Sequence, residues 1–290
     1  MRTFSALVRR NVKMFFKDKG MFFTSLITPI ILLVLYATFL ARIYRDSFVS
    51  ALPDGIAMDE KLISATVGGQ LMSSLLAVSC VTVSFCANLL SVQDRVSGAR
   101  KDMLVTPVRR STIAGAYYVG TLATTVIVSL VATAACFVYL AINGWYLSFG
   151  DVALIILDVV ILTMFGTALA SVVNAFLTSN GQASAVGTIV SAGYGFICGA
   201  YMPISQFGGA LGNVMMFLPG TYGTSLIRNH CLGGVYREMS SIGFPSGVVE
   251  GIKDSVDCNI YFFGSSVPIG AMYAVILGAV VVLVGAYVLI

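Results

Sequence analysis

Few residues of this chain could carry chemistry. Asp158 is the one ionisable side chain well inside an apolar run, Val152–Thr178. A carboxylate in such a run marks either a substrate or proton contact, or an acid satisfied by a partner inside a helical bundle. It follows Asp151 by seven residues, about 10 Å along a helix, so a partner or water near the outer face is within reach. His230 is the sole histidine; beside Arg228 in a segment read as exposed, it is not expected to be a ligand or catalyst. The six cysteines form no CxxC pair and no Cys/His ligand spacing, so no metal site is expected. No nucleophile–base pair or carboxylate cluster stands at depth, which argues against an intramembrane enzyme. The chain also lacks a Gly-x4-Gly-Lys-[Ser/Thr] loop, so it cannot cradle ATP phosphates in the usual way.

The elements that must position these residues are apolar helices. Of 290 residues, 58% are hydrophobic and only 10% charged, whereas soluble domains carry about 25% charged residues. Six apolar runs stand out, at about 21–41, 62–92, 113–142, 152–178, 185–202 and 268–290. Each is near or above the length that crosses a hydrocarbon core. The second and third exceed it, so they tilt or project. The first follows too long a basic stretch, and is itself too long, to be a cleaved signal peptide. The expected fold is an all-α membrane protein of six transmembrane helices, with no soluble domain appended at either end.

Charge placement predicts the orientation. Residues 1–20 and the segment after the second run hold eleven Lys and Arg, against six in the much longer opposite segments. The positive-inside bias then puts both termini in the cytoplasm. Within residues 1–20, Phe4, Leu7, Val8, Val12, Phe15 and Phe16 share one helical face, and Arg2, Arg9, Arg10, Lys13 and Lys17 share the other. That pattern suits a helix lying in the membrane interface, basic face to the headgroups, or a plain topology signal. On the outer side, Arg42–Lys61 reads as a polar loop containing Pro53, Asp54 and Gly55, and Trp145 sits in a tight connection where an interfacial aromatic is expected. Residues 207–234, Gly-rich with Pro219, read as two short helices dipping into the outer leaflet, and residues 235–259 as polar and exposed. Cys231 and Cys258 fall in this outer segment, on the oxidising side. They are expected to form a disulfide, the alternative being two free thiols. There is no basic cluster interleaved with aromatics, so nucleic acid is not an expected partner.

The cytoplasmic segment after the second run reads Gln93-Asp94-Arg95-Val96-Ser97-Gly98-Ala99-Arg100-Lys101-Asp102-Met103-Leu104-Val105-Thr106-Pro107-Val108-Arg109-Arg110. It resembles the signature of type-2 ATP-binding-cassette (ABC) exporter permeases, in which an acid-Arg pair, a Gly, a Leu and a Thr-Pro-Val-Arg run follow the second span. The matching residues are Asp94, Arg95, Gly98, Leu104, Thr106, Pro107, Val108 and Arg109. Asp94 stands where Glu is usual, Ala99 where Thr is common, and Arg100-Lys101 where Leu-Glu often appears. The resemblance also covers the N-terminal helix, the six spans and an outer re-entrant hairpin before the last span.

The resemblance implies a permease subunit that exports cargo, and a short coupling helix seated in a groove of a separate ATPase subunit. ATP and Mg would then sit on that partner, with no cofactor in this chain. Physically, Met103, Leu104 and Val105 would dock in the groove, Asp94 and Arg95 would set the register by charge complementarity, and Pro107 would stop the helix. A second permease, identical or paralogous, would complete the pathway in the cell membrane. An apolar pathway suits amphipathic or lipid-like cargo: a drug, antibiotic, peptide or lipid-linked glycan. Ser191, Gly195 and Gly199 in the fifth run are small enough for tight packing within the subunit or at a dimer seam.

Overall fold

The computed structural model describes residues 2–51, 58–207 and 209–290. The chain is helical nearly throughout: α1 (Arg2–Lys17), α2 (Lys19–Leu35), a π-helical turn (Tyr36–Leu40), α3 (Ala41–Ala51), α4 (Glu60–Val96), α5 (Ala99–Leu104), α6 (Arg110–Asn143), α7 (Phe149–Ala175), α8 (Asn180–Ile197), α9 (Gly209–Met215), α10 (Pro219–Ser241), α11 (Ser246–Ser255), and α12 (Ile269–Leu289). A two-residue hairpin, β1 (Tyr261–Phe262) with β2 (Ser265–Ser266), precedes α12.

The first expected span runs on without a break. Asp18 caps α2 by accepting from the Met21 N–H at 3.1 Å, and the helix passes through its π-turn into α3. Arg42 to Ala51 is therefore helix, not loop. The expected turn at Pro53, Asp54 and Gly55 lies outside the described residues.

The centre of the bundle is α4. Its 37 residues correspond to about 55 Å of helix, so it projects well past a hydrocarbon core. Nearly every side chain along it is buried, because α2, α6, α7, α8 and α10 all pack around it. Small residues make this crowding feasible. At Gly166 of α7 a Cβ would lie 3.0 Å from both the Cys80 carbonyl and Val81 Cα of α4. A polar line runs down the same contact. Ser84 and Thr167 meet at 3.3 Å, Asn88 donates to Ser171 at 3.1 Å, and Asn174 donates to Asn88 at 3.0 Å. Such bonds between membrane helices fix register as well as contributing stability.

Among the described residues, five segments are long and apolar enough to cross a membrane: Lys19–Asp46, α4, α6, α7 and α12. The fifth expected run forms α8, which is not among them.

The largest departure from expectation is α10. Residues 207–234 do hold two helices, α9 and most of α10, but α10 is not short: it runs unbroken for 23 residues to Ser241, packed on α4, α7 and α12, where an exposed tail was expected from residue 235. Nor is the segment beyond it stripped of apolar material. Leu232, Val235, Tyr236, Met239, Val249, Ile252, Val256 and Cys258 build a second core with Leu62 and Ala65 of α4. Cys231 and Cys258, expected to form a disulfide, are both buried free thiols. Cys231 belongs to the main core, whereas Cys258 sits in the smaller one, 3.3 Å from the Tyr236 hydroxyl.

Candidate functional site

The segment joining α4 to α6 divides into an inward half and an outward half. Asp94 and Arg95 are adjacent on α4, about 100° apart around the helix, and they leave in different directions. Asp94 is 5% exposed. Its carboxylate pairs with Arg10 of α1, which donates from Nη2 at 2.9 Å, and it accepts from the Tyr117 hydroxyl of α6 at 2.6 Å. Donating that hydrogen bond to Asp94 pushes the Arg10 guanidinium above its ordinary pKa. Asn11, next along α1, donates to the Ala116 carbonyl at 3.1 Å. A Cβ at Gly120 would lie 2.8 Å from that of Asn11, so the two helices touch closely. The N-terminal helix is thus tied into the bundle through Arg10 and Asn11. Arg10 does not share the exposed basic face with Arg2, Arg9, Lys13 and Lys17.

Arg95 reaches across to the end of α7. Its Nη1 donates to the carbonyls of Asn174, Ala175 and Leu177 at 3.2, 2.7 and 2.6 Å. The Asn174 carbonyl also accepts from the Leu177 N–H at 3.2 Å, and a cation at this helix end suits the helix dipole. Both charges that had been expected to set a docking register are therefore used inside the chain.

Beyond Arg95 the segment faces outward. Gly98 turns the chain with φ +87°, in the left-handed region that glycine alone enters without strain. It starts α5 by accepting from the Lys101 N–H at 2.8 Å. The helix ends at Leu104, and the Thr106 hydroxyl donates to the Met103 carbonyl at 2.5 Å. Pro107 stands two residues beyond the cap, where it blocks any continuation, and Arg109 opens α6 in an extended conformation. Val108 is half-buried; Leu104, Thr106, Pro107 and Arg109 are exposed. Val105 is 86% exposed, and Leu104 and Val96 are 39% and 48% exposed. Behind α5 lies a cleft of about 530 Å³ bearing Arg95, Arg100 and Arg110, closed by Tyr287 and the last residues of α12.

The other charged groups lie towards the opposite end. Asp151 caps α7 with Ser148 and pairs with Arg237 of α10, whose Nη1 donates at 3.2 Å. Asp158 lies 2.5 Å from His230 Nδ1 and also accepts from the Tyr273 hydroxyl of α12. His230 is therefore neither alone nor exposed: only 12% of its side chain is accessible. Arg228 is 2% exposed. It donates to the Val256 carbonyl at 2.6 Å, to Ser74 at 3.1 Å and to the Gly199 carbonyl at 3.0 Å, with Asp257 at 3.6 Å. Arg228 and Arg237, taken as loop charges, are instead tie points between helices. Gly195 and Gly199 serve packing within the chain. A Cβ at Gly195 would fall 2.3 Å from the Tyr201 ring, and Gly199 ends α8 at φ +70° against Ile204. Ser191 is half-buried on the same helix. No group of three metal-ligating side chains occurs among the described residues.

Arg10, Tyr117 and Asn88 are the participants that sequence reasoning did not find. Asn11 offered a signal for the first, being the polar member of the Phe4, Leu7, Val8, Asn11, Phe15 stripe that turns inward.

The described residues build a polytopic helical bundle with a short, exposed, arginine-flanked helix between its second and third long spans. The chain belongs to the ABC-2 type transporter family, whose model matches residues 2–231. No curated protein matches it significantly. Permeases of this family work with ABC ATPase subunits.

Proposed function

We propose that the chain is the permease subunit of an ABC exporter, moving an amphipathic or lipid-like cargo outward on energy from a separate ATPase. The observation that carries this reading is the split of the 93–110 segment. Asp94 and Arg95 brace the end of α4, from which α5 follows, against α1, α6 and α7, while Leu104 and Val105 at the end of α5 stay exposed. A rigid, apolar knob mounted on three long helices is what transmission of a rigid-body motion requires. In this reading α5 and its flanks sit in the ATPase groove, both termini are cytoplasmic, α8 is the sixth membrane-spanning helix, and α9 with the start of α10 dips in from the outside. Two permeases, identical or paralogous, then surround one pathway, and two ATPases carry ATP and Mg beneath them.

The buried charges of α7 and α10 could instead suggest a secondary transporter. Each has a partner within the chain, and they cluster towards one end of the bundle, which suits a structural brace better than a midplane ion site. The test is reconstitution. The purified chain in liposomes hydrolyses no ATP and supports hydrolysis-driven export only with a nucleotide-binding subunit. Hydrolysis by the chain alone would overturn the reading.

A further inference from the structure

A cavity of about 490 Å³ lies between α7, α8 and α12, roofed by the start of α10. Its walls are apolar throughout, with Leu169, Ile189 and Val282 among them. It exists because α8 packs on α4 while α12 packs on α7 and α10, which leaves a cleft between α8 and α12. Ile189 and Val282 at its rim are 70% and 71% exposed, so it opens sideways, toward the hydrocarbon that surrounds such a bundle. Binding sites for small hydrophobic molecules have this size and lining, with a few placed polar groups.

Two polar features meet at the roof. One is the N-terminus of α10, a 23-residue helix whose first turn no side chain caps. Pro219 brings no N–H and the Thr221 N–H donates to the Leu218 carbonyl at 3.1 Å, which leaves the Gly220 N–H without an intrahelical acceptor. The second is Tyr194 of α8, which is 9% exposed and lines the cavity. Its hydroxyl is fully buried with no hydrogen-bond partner, and the neighbouring Cys198 thiol is directed to the Gly195 carbonyl at 3.9 Å. The hydroxyl reaches the roof at Gly220, where a Cβ would lie 2.4 Å from it. A buried hydroxyl left unbonded is costly, and here it stands beside Gly220, whose N–H at the start of α10 also lacks an acceptor. From this we infer that the cavity binds a fatty-acyl group, its chain between α8 and α12, its carbonyl or carboxylate oxygen accepting from Tyr194 and from the first turn of α10.

Such a group comes either from a phospholipid of the bilayer or from a free single-chain amphiphile. The experiment separates the two. The protein in phosphatidylcholine nanodiscs is photolabelled with a diazirine-bearing palmitic acid, or with a phosphatidylcholine carrying the same diazirine chain, and adducts are mapped. The expected result is labelling concentrated on Ile189, Val190 and Val282, above that on Val131 and Val138, which are equally open on α6. Label from the free acid alone assigns the site to a single-chain amphiphile; label from the phospholipid assigns it to the bilayer. Gly193 lines the cavity and a Cβ there meets nothing within 4 Å, so Gly193→Leu fills the cavity without a clash and abolishes the concentrated label. Gly187→Leu, equally unobstructed but off the cavity, leaves it intact. Tyr194→Phe weakens retention of the probe by about three- to tenfold, the worth of one hydrogen bond. Even labelling of every exposed apolar helix, unchanged by Gly193→Leu at an unaltered melting temperature, would overturn the proposal. Since no ATPase is present, that outcome would leave the permease reading standing.

Discussion

Asp158 of α7 and His230 of α10 meet at 2.5 Å, and seven residues outward along each helix Asp151 meets Arg237. The two pairs are rungs of one antiparallel register, about 10 Å apart at 1.5 Å per residue. Tyr273 of α12 closes the inner rung, so three helices are clamped at one level. Because Asp158 is satisfied on both oxygens by the chain itself, its role is to hold helices together.

This assignment is testable by comparing isosteric and apolar replacements. Asp158→Asn keeps the shape and most of the hydrogen bonding, so insertion, assembly and transport remain close to wild type. Asp158→Leu strands His230 and Tyr273 in a buried site and costs about 1–3 kcal/mol. A double variant with His230→Leu then loses less than the sum of the two single changes. Melting temperatures in detergent measure all of this. Loss of transport by Asp158→Asn with normal assembly would place the acid on the cargo or proton path instead.

Arg95 is a cap for α7. Arg95→Ala frees three carbonyls, Asn174, Ala175 and Leu177, and a lost bond from a charged donor costs about 1.5–3 kcal/mol. Arg95→Lys recovers only part of this, because one ammonium on a flexible stem does not reproduce the rigid guanidinium fork. Thermal unfolding and hydrogen exchange at residues 174–178 check it. Both variants are expected to keep ATPase binding, since the Arg95 guanidinium is spent on the end of α7 and Val105 stays exposed without it.

The thiols give a third check. Cys231 and Cys258 are free and buried, so an impermeant maleimide labels neither in intact cells, with or without reductant. After denaturation both label without reduction. Labelling of the denatured protein that requires reductant would mean that the two are joined.

The long spans were legible because a run of apolar residues needs no partner to be recognised. Most of α10 was not. Pro219, its glycines, and Arg228, His230 and Arg237 lower its hydropathy, and the partners that make those charges tolerable lie 28 to 154 residues away in sequence. The polar look of residues 235–259 misled for a related reason: their apolar members alternate with exposed charges and find their core only against Leu62 and Ala65. The segment at Asp94–Arg110 was legible in its types and spacing. The side-chain directions were not, since neighbours on a helix diverge by about 100° and only the surrounding helices decide which one is buried.

The central claim is that α5 is the surface on which an ATPase acts, and a charge at its exposed tip tests it. Val105 is 86% exposed, so Val105→Asp leaves the permease folded, with an unchanged melting temperature. A carboxylate pressed into an apolar groove without a partner costs several kcal/mol. Co-purification of the ATPase subunit with tagged wild type, Val105→Asp and Leu104→Asp is the direct measurement, with ATP-driven export recorded for each. Both variants are expected to lose the ATPase by tenfold or more, about 1.4 kcal/mol or above, or else to retain it without export. Wild-type capture together with wild-type export by both would contradict it.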